Sequence, residues 1–430
     1  MAATPKSVEI RAYQVGFGDC FLVSFVYPKD ERRHVLVDFG TTELPRGATP
    51  SQHLPRIANH IKQVCGGSLA AVVATHRHAD HISGFATDGR SGGAGTIIAA
   101  LKPKLVLQPW TEDPKAARDA RTATADSNRS PRSFLGSLNA MHRLAEHAWN
   151  VALHPPAAMS AAVAKQLRFL GMDNIRNKSA VDNLIAMGER PGARAVWAHH
   201  GSNSGLEKLL PGVTVRVLGP PTLAQSEKIR KMRSSDPDEF WQLLGGDRAM
   251  RGMRVAPPQA DGRVPAEARW FRDRIASLSA EQLLEIVRVL DDQMNNTSLI
   301  LLFEVGGKKL LFPGDAQIEN WSWALQDAPD HEKTRRLLAG VDFYKVGHHG
   351  SRNATPKKLL WENFAKRGKA RGRLQTALST LKGKHGTVAK KTEVPRGTLL
   401  KALQSETRLV TTQDYSLASP EPCQKITLRI

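Results

Sequence analysis

A short apolar run that ends in a burst of metal-ligating side chains constrains this chain more than any other feature. Residues 68–75 read SLAAVVAT, and Thr75-His76-Arg77-His78-Ala79-Asp80-His81 follows without a break. A near-continuous apolar run of this length suits a strand buried on both faces, with helices or a second sheet covering it. Four potential ligands (His76, His78, Asp80, His81) therefore sit within six positions at a strand end. Neutral imidazoles and a carboxylate suit zinc, iron or manganese. A surface loop gathers one or two such residues by chance. Four directly after a buried strand call for a sheet whose edge carries a site.

The rest of the chain supplies such sheets. Residues 8–15 and 20–26 are apolar-rich and separated by the turn-like Gly16-Phe17-Gly18-Asp19. Residues 34–38 (HVLVD) and 101–107 read as strands, and 51–64 has helical spacing through Leu54, Ile57, Ile61 and Val64. VTVRVL at 213–218 alternates and stops at Gly219-Pro220-Pro221. The runs 298–305 and 309–312 are joined by Gly306-Gly307, a strong hairpin signal. Further strands are expected over 341–346 and 375–379, a helix over 395–403, and closing strands over 410–412 and 425–430. Strands interspersed with helices indicate a mixed α/β fold. We read residues 1–430 as one domain with two helical or irregular insertions, at about 111–195 and 222–280. Inside the first, Leu135, Leu138, Met141, Leu144 and Ala148 mark a helix. In the second, Lys228, Arg230, Lys231 and Arg233 precede Phe240 and Trp241, and Ser279 with Gln282 forms a capping box.

Charge narrows the partners. The chain carries 61 Lys+Arg against 41 Asp+Glu, a net charge of +20. That balance suits polyanionic partners such as nucleic acid and, equally, general solubility. Three cysteines (Cys20, Cys65, Cys423) are too few and too far apart for a disulfide framework or a CxxC zinc site. The N-terminal stretch lacks the apolar core of a secretory signal, and no apolar run is long enough to span a bilayer. The expected setting is a reducing cytoplasm, with no membrane partner.

The HxHxDH run resembles the signature of the metallo-β-lactamase superfamily. Other segments fit its pattern: Asp38 in LVDFGT, Asp315 in LLFPGDA, and the distal histidines in Tyr344-Lys345-Val346-Gly347-His348-His349-Gly350-Ser351. The resemblance runs from about Val8 to the C-terminus and implies an αββα sandwich with the site at one edge. It implies two divalent ions, zinc first, with manganese or iron as alternatives. His76 and His78 would hold the first ion, Asp80 and His81 the second. Asp315 would bridge them, since a carboxylate has two accepting oxygens. Asp38 and Asp19 would orient the ligands from behind. Either His348 or His349 supplies the distal ligand, and the other faces substrate. Asp80, His348 and His349 are the candidate catalytic residues. Many superfamily members place a further histidine between the run and the bridging aspartate. Here the strand at 213–218 ends without one, and His199 and His200 in WAHHGSNSG are the candidates to replace it.

Flanking motifs point to one branch. Val15-Gly16-Phe17-Gly18-Asp19-Cys20, the Asn295-Asn296-Thr297-Ser298-Leu299 segment and the HHGS stretch are similar to the ComEC-like group, the domain attached to bacterial DNA-uptake channels. That group is regarded as nucleolytic, so the resemblance implies a phosphodiesterase or nuclease acting on DNA or RNA. Ser351, Asn353, Lys382, Lys384 and His385 are candidate substrate contacts. Residues 341–430 hold 18 Lys+Arg against 6 Asp+Glu, a local balance of +12, densest over 366–373. Such a run beside two metals suits a phosphodiester backbone. Two other readings compete. One is hydrolysis of a small ester, lactone, amide or cyclic nucleotide, since a fold does not fix its substrate. The other is a binding or regulatory subunit with a degenerate metal site.

Overall fold

The fold was obtained as a computed structural model. It describes residues 4–87, 92–115, 178–230, 294–351, 353–368, 372–381, 383–384 and 393–430, with five isolated positions between 153 and 164. Two mixed sheets form the frame. The first runs β13-β1-β2-β3-β4-β5-β6 and the second β12-β11-β10-β9-β8-β7. In the first, β1 (Ser7–Tyr13), β2 (Cys20–Val26), β3 (Arg32–Phe39) and β13 (Cys423–Arg429) pair antiparallel. From β3 onward, β4 (Ala71–Val73), β5 (Leu105–Pro109) and β6 (Arg194–Ala198) continue in parallel. The second sheet repeats this division. β7 (Val213–Gly219), β8 (Ile300–Val305) and β9 (Lys308–Phe312) are antiparallel. β10 (Phe343–Lys345), β11 (Gln375–Leu378) and β12 (Arg408–Thr411) run parallel to β9.

Period-two side-chain alternation builds the interior. On β2, Phe21, Val23 and Phe25 face one core while Cys20 and Leu22 face another. On β8, Leu301, Phe303 and Val305 join that first core, and Ile300 and Leu302 join a third. The shared core lies between the sheets. Phe21 meets Phe312 at 6.1 Å, and Phe25 meets Phe303 at 5.9 Å between ring centroids. Each such ring buried contributes about 1.5–3 kcal/mol. The outer face of the first sheet is covered by helices Pro50–Val64, Ala94–Ala100 and Lys178–Glu189, through Ile57, Ile61, Ile98 and Leu184. Ile318–Ser322, His331–Ala339 and Gly397–Glu406 cover the second, through Trp321, Leu338, Leu399 and Leu403. The β8–β9 hairpin turns at Gly306 and Gly307, both at positive φ (52° and 78°), as a two-residue turn of matching twist requires.

Some core elements were not expected from the sequence. Within 111–195, helix Lys178–Glu189 packs on the core, and β6 hydrogen-bonds β5 in register from Leu105↔Arg194 to Pro109↔Ala198. β6 was hidden because an edge strand is half exposed, and RAVWA follows a charged stretch. The helices Ile318–Ser322 and His331–Ala339 also lie where no helix was expected; HEKTRRLLA carries few apolar residues, and among them only Leu338 is fully buried. The expected helices inside 131–148 and after Ser279, with Lys231, Arg233, Phe240 and Trp241, lie outside the described residues. Among the described residues no helix is long and apolar enough to cross a membrane.

Candidate metal centre

Topology alone brings the motif residues together. β3 and β4 are parallel, so Asp38 and the 75–81 turn leave the same edge of the first sheet. β2 is antiparallel to β3, so Asp19, just before β2, starts at that edge. In the second sheet β9, β10 and β11 are parallel. Their C-terminal ends carry Asp315, His348-His349 and Ser379 to one edge. β8 runs the other way and begins there with Ser298-Leu299. The two edges meet where the Leu299 amide donates to the Thr75 carbonyl (2.9 Å), and within the second sheet the Asp315 amide donates to the Ser298 hydroxyl (3.2 Å). Strand ends of this kind are where open α/β sheets place their ligands.

Six imidazoles and carboxylates meet at this seam, all buried: His76, His78, Asp80, His81, Asp315 and His349. One ligand atom from each of Asp80, His81, Asp315 and His349 lies within 4.8 Å of the others. A second group of the same tightness joins His76, His78 and Asp80. His81 Nε2 is 3.1 Å from Asp315 Oδ2, and His349 Nε2 is 2.7 Å from Asp80 Oδ2. His76 Nε2 and His78 Nδ1 face each other at 3.0 Å. Asp80 Oδ1 is buried with no hydrogen-bond partner among the described residues. A buried carboxylate oxygen left so is costly, and a cation removes the cost. The donor set, all imidazole nitrogen and carboxylate oxygen, fits a divalent ion of the zinc, manganese or iron class. These residues could therefore hold a metal ion.

The surroundings orient the ligands. Asp38 accepts from the Thr75 amide (2.7 Å), from the Thr75 hydroxyl (2.8 Å) and from His81 Nδ1 (2.8 Å). That fixes the His81 tautomer and turns Nε2 inward. His349 Nδ1 donates to the Ser379 carbonyl at 2.9 Å, which does the same for its ring, and Phe17 packs on it at 4.3 Å. Gly40 lets this happen: a Cβ there would come within 2.4 Å of the Ala79 carbonyl and 2.5 Å of the His81 amide. Asp38, His348 and His349 all adopt left-handed φ (55°, 45° and 49°). Each costs roughly 1–2 kcal/mol in a non-glycine residue, and such strain gathers where function imposes it.

Electrostatics divide the histidines. Burial, then the neighbouring imidazoles, pushes His76 well below its ordinary value. Burial likewise brings His78 down to about 4, against the pull of Asp80. Both are neutral ligands in waiting. Burial opposes charge on His81 too, but Asp315, Asp80 and Asp38 outweigh it and raise that ring well above the usual range. Burial opposes charge on His349 as well, but its hydrogen bond to Asp80 together with the charges of Asp19, Asp315 and Asp80 outweighs it and raises the ring. Burial would raise both carboxylates, but His81 and His349 hold Asp80, and His81, Lys345 and His348 hold Asp315, below the ordinary carboxylate range.

The sequence candidates separate clearly. His349, not His348, joins the ligand cluster; the His348 amide donates to Asp315 Oδ1 at 2.9 Å. Asp38 and Asp19 stand behind the ligands, Asp19 at 3.7 Å from His81 Nδ1 and 3.8 Å from His349 Nδ1. The resemblance gives Asp315 the place between two ions; in the structure Asp80 is the carboxylate common to both groups. His199 and His200 do not complete the centre. His200 Nδ1 donates to the Leu218 carbonyl (2.8 Å) and Nε2 pairs with Asp330 (3.1 Å), so both ring nitrogens are engaged elsewhere. His199 Nδ1 lies 3.0 Å from the His200 carbonyl. Neither belongs to any metal-capable group among the described residues.

Ser351 and Asn353 are buried and bond each other at 3.1 Å. Lys384 pairs with Glu43 at 2.9 Å, in the loop that bonds Phe17. Lys382 and His385 lie outside the described residues. The basic run does not line the centre where it is described. Lys366 pairs with Asp342 (2.7 Å) and Arg367 with Glu406 (2.6 Å), and Arg373 bonds the Ser405 carbonyl. Asp342 precedes β10, at the end opposite His349.

One residue escaped the sequence reading. Lys345, the last residue of β10, is buried with its ammonium against Asp19 and 3.3 Å from Asp315 Oδ1. Burial alone would lower its pKa, but Asp19 and Asp315 raise it above the ordinary lysine value. A lysine at the end of an otherwise apolar strand, three residues before a histidine pair, was the available signal. No model of a known protein family matches this sequence, and no curated protein does.

Proposed function

We propose that this protein is a metal-dependent hydrolase with a dinuclear centre in a metallo-β-lactamase-type αββα sandwich, and that its substrates are phosphodiesters, nucleic acid first. The observation that carries the reading is the convergence of six buried histidines and aspartates from both sheets on one edge, with Asp80 common to two ligand groups. His76, His78, Asp80, His81, Asp315 and His349 would hold the ions. Divalent ions so placed acidify water and stabilise charge on the attacked and departing oxygens.

The remaining chemistry falls to this chain's own residues. Asp38 and Ser379 keep His81 and His349 in the tautomers that aim Nε2 inward. Lys345 neutralises Asp19 and takes up Asp315 Oδ1, leaving Oδ2 toward His81. His348, half-buried beside His349 and 6.3 Å away ring to ring, would meet a phosphate oxygen or a leaving group. A net charge of +20 favours a polyanionic substrate through long-range attraction.

A second reading, hydrolysis of a small ester, lactone, amide or cyclic nucleotide, draws on the internal pairing of Lys366 and Arg367 far from His349. One screen separates the two. Labelled single-stranded and duplex DNA and RNA, and a chromogenic phosphodiester, are incubated with the full chain and Zn²⁺, Mn²⁺ or Mg²⁺, with Asp315→Ala as control. Nucleic-acid cleavage that needs metal, disappears in the variant and falls steeply with salt supports the nuclease reading. Turnover of the small diester alone favours the second. Two ions per chain by elemental analysis would argue against a degenerate regulatory subunit; none would support one.

A further inference from the structure

The chain has a second cluster of ligating side chains, apart from the seam. His60, Glu421 and Cys423 each place one ligand atom within 4.8 Å of the other two. We propose that these three residues form a separate site for a divalent ion of the zinc class, held by one imidazole, one carboxylate and one thiolate. It shares no residue with the His/Asp groups and sits on the helix-covered outer face of the first sheet, where Cys423 of β13 lies opposite Tyr13 of β1.

Three observations support it. The first is the donor set. Thiolate, imidazole and carboxylate are all zinc ligands, and three protein ligands with one open position is an established arrangement for that ion. A thiolate and a carboxylate together balance a dication. The Cys423 thiol proton leaves to solvent as the sulfur–metal bond forms.

The second is orientation. His60 Nδ1 lies 3.1 Å from the Tyr13 hydroxyl, and the two rings meet edge to face at 5.7 Å. A hydrogen bond at one ring nitrogen is the usual way a ligating imidazole is fixed, with the other nitrogen left to the metal. Tyr13 is fully buried and cannot follow solvent.

The third is rigidity around the carboxylate. Arg56, one turn before His60 on the same helix, donates to the carbonyls of Leu417 and Ser419. On the other side of Glu421, the Gln14 amide donates to the Pro422 carbonyl at 3.1 Å. The backbone carrying Glu421 is thus tied to the elements that carry His60 and Tyr13. The nearby Arg11 has its own anion, Glu9 at 3.0 Å. Cys423 is buried, His60 half-buried and Glu421 exposed, so an ion would enter from the Glu421 side.

Cobalt substitution tests the site without interference from the His/Asp centre, which contains no sulfur. The chelator-stripped full chain is titrated with Co²⁺. A near-ultraviolet thiolate-to-cobalt charge-transfer band is expected, reaching at saturation the intensity of one thiolate-bound cobalt per chain and displaced by Zn²⁺. It should vanish in Cys423→Ser and persist in Cys20→Ser and Cys65→Ser. Glu421→Gln, at an exposed side chain, should weaken cobalt binding at this site by at least about tenfold. No band from the unaltered chain, or a band that survives Cys423→Ser, overturns the proposal. If Cys423→Ser does not fold by circular dichroism, Glu421→Gln decides: unchanged affinity overturns the proposal, and the weakening upholds it.

Discussion

The Asp38 carboxylate grips His81 at Nδ1 (2.8 Å) and so presents Nε2 to Asp315 (3.1 Å). A ring held by a carboxylate is both oriented and made a stronger donor. Asp38→Asn separates this role from simple folding. Asparagine tolerates the left-handed backbone at this position (φ 55°) and can still accept from the Thr75 amide. Its NH2 group then stands where Oδ2 was, so His81 Nδ1–H loses its acceptor as well as the anion. We expect metal affinity to fall about 10–100-fold with little change in melting temperature, measured by competition with a chromophoric chelator. Affinity within twofold of the unaltered chain would remove Asp38 from the centre.

Gly40→Ala tests how closely the 16–18 and 38–43 segments press on the ligand turn. The added methyl would meet the Ala79 carbonyl at 2.4 Å and the His81 amide at 2.5 Å, both backbone atoms that cannot swing aside. Overpacking of this kind costs roughly 1–3 kcal/mol. The displaced turn carries Asp80 and His81, so metal content should fall together with stability. A variant that keeps full metal content and an unchanged denaturation midpoint would show that the turn has room to move.

Much of the centre was legible because ligand chemistry is local. His76, His78, Asp80 and His81 follow one apolar strand, and Asp315 and His349 each follow another, so strand ends and residue types together located them. The partners were not legible. Lys345 meets Asp19 only because β10 and β2, from different sheets, end at one seam. Nor did adjacency of His199 and His200 reveal that His200 spends its nitrogens on Leu218 and Asp330, brought in by β7 and the start of helix His331–Ala339. Nor did distance along the chain from His349 show that Lys366, in the basic run, turns back to Asp342 at the far end of β10.

Acid should weaken the fold through His34. This ring is buried, bonds the Ser24 hydroxyl at 2.8 Å, and is brought down to about 4, first by burial and then by Arg11 and Arg32. Below the ordinary value the unfolded chain takes up a proton that the folded chain refuses, so the unfolded state gains. Stability attributable to His34 should decline as pH falls from 6.5 toward 4 and level off below, by about 3 kcal/mol at most. His34→Gln should flatten that part of the curve, read from denaturant midpoints across the range. An equally steep decline in the variant would assign the loss to other groups.

Lys345 and Asp19 form a buried ion pair whose members are expected to depend on each other. Burial raises the Asp19 carboxyl above its ordinary value even though Lys345, His81 and His349 pull it down. Lys345→Met removes the cation and leaves that carboxylate in the interior, which typically costs 3–5 kcal/mol. Asp19→Asn alone leaves Lys345 facing Asp315 at 3.3 Å and should cost less. The double variant removes both charges, and much of the Lys345→Met loss should return, because apolar or neutral replacement of a whole buried pair is often close to neutral. Denaturation of the four proteins in metal-free buffer gives the coupling directly. Purely additive losses would mean that Lys345 and Asp19 act independently, and that the lysine's place in the seam serves Asp315 alone.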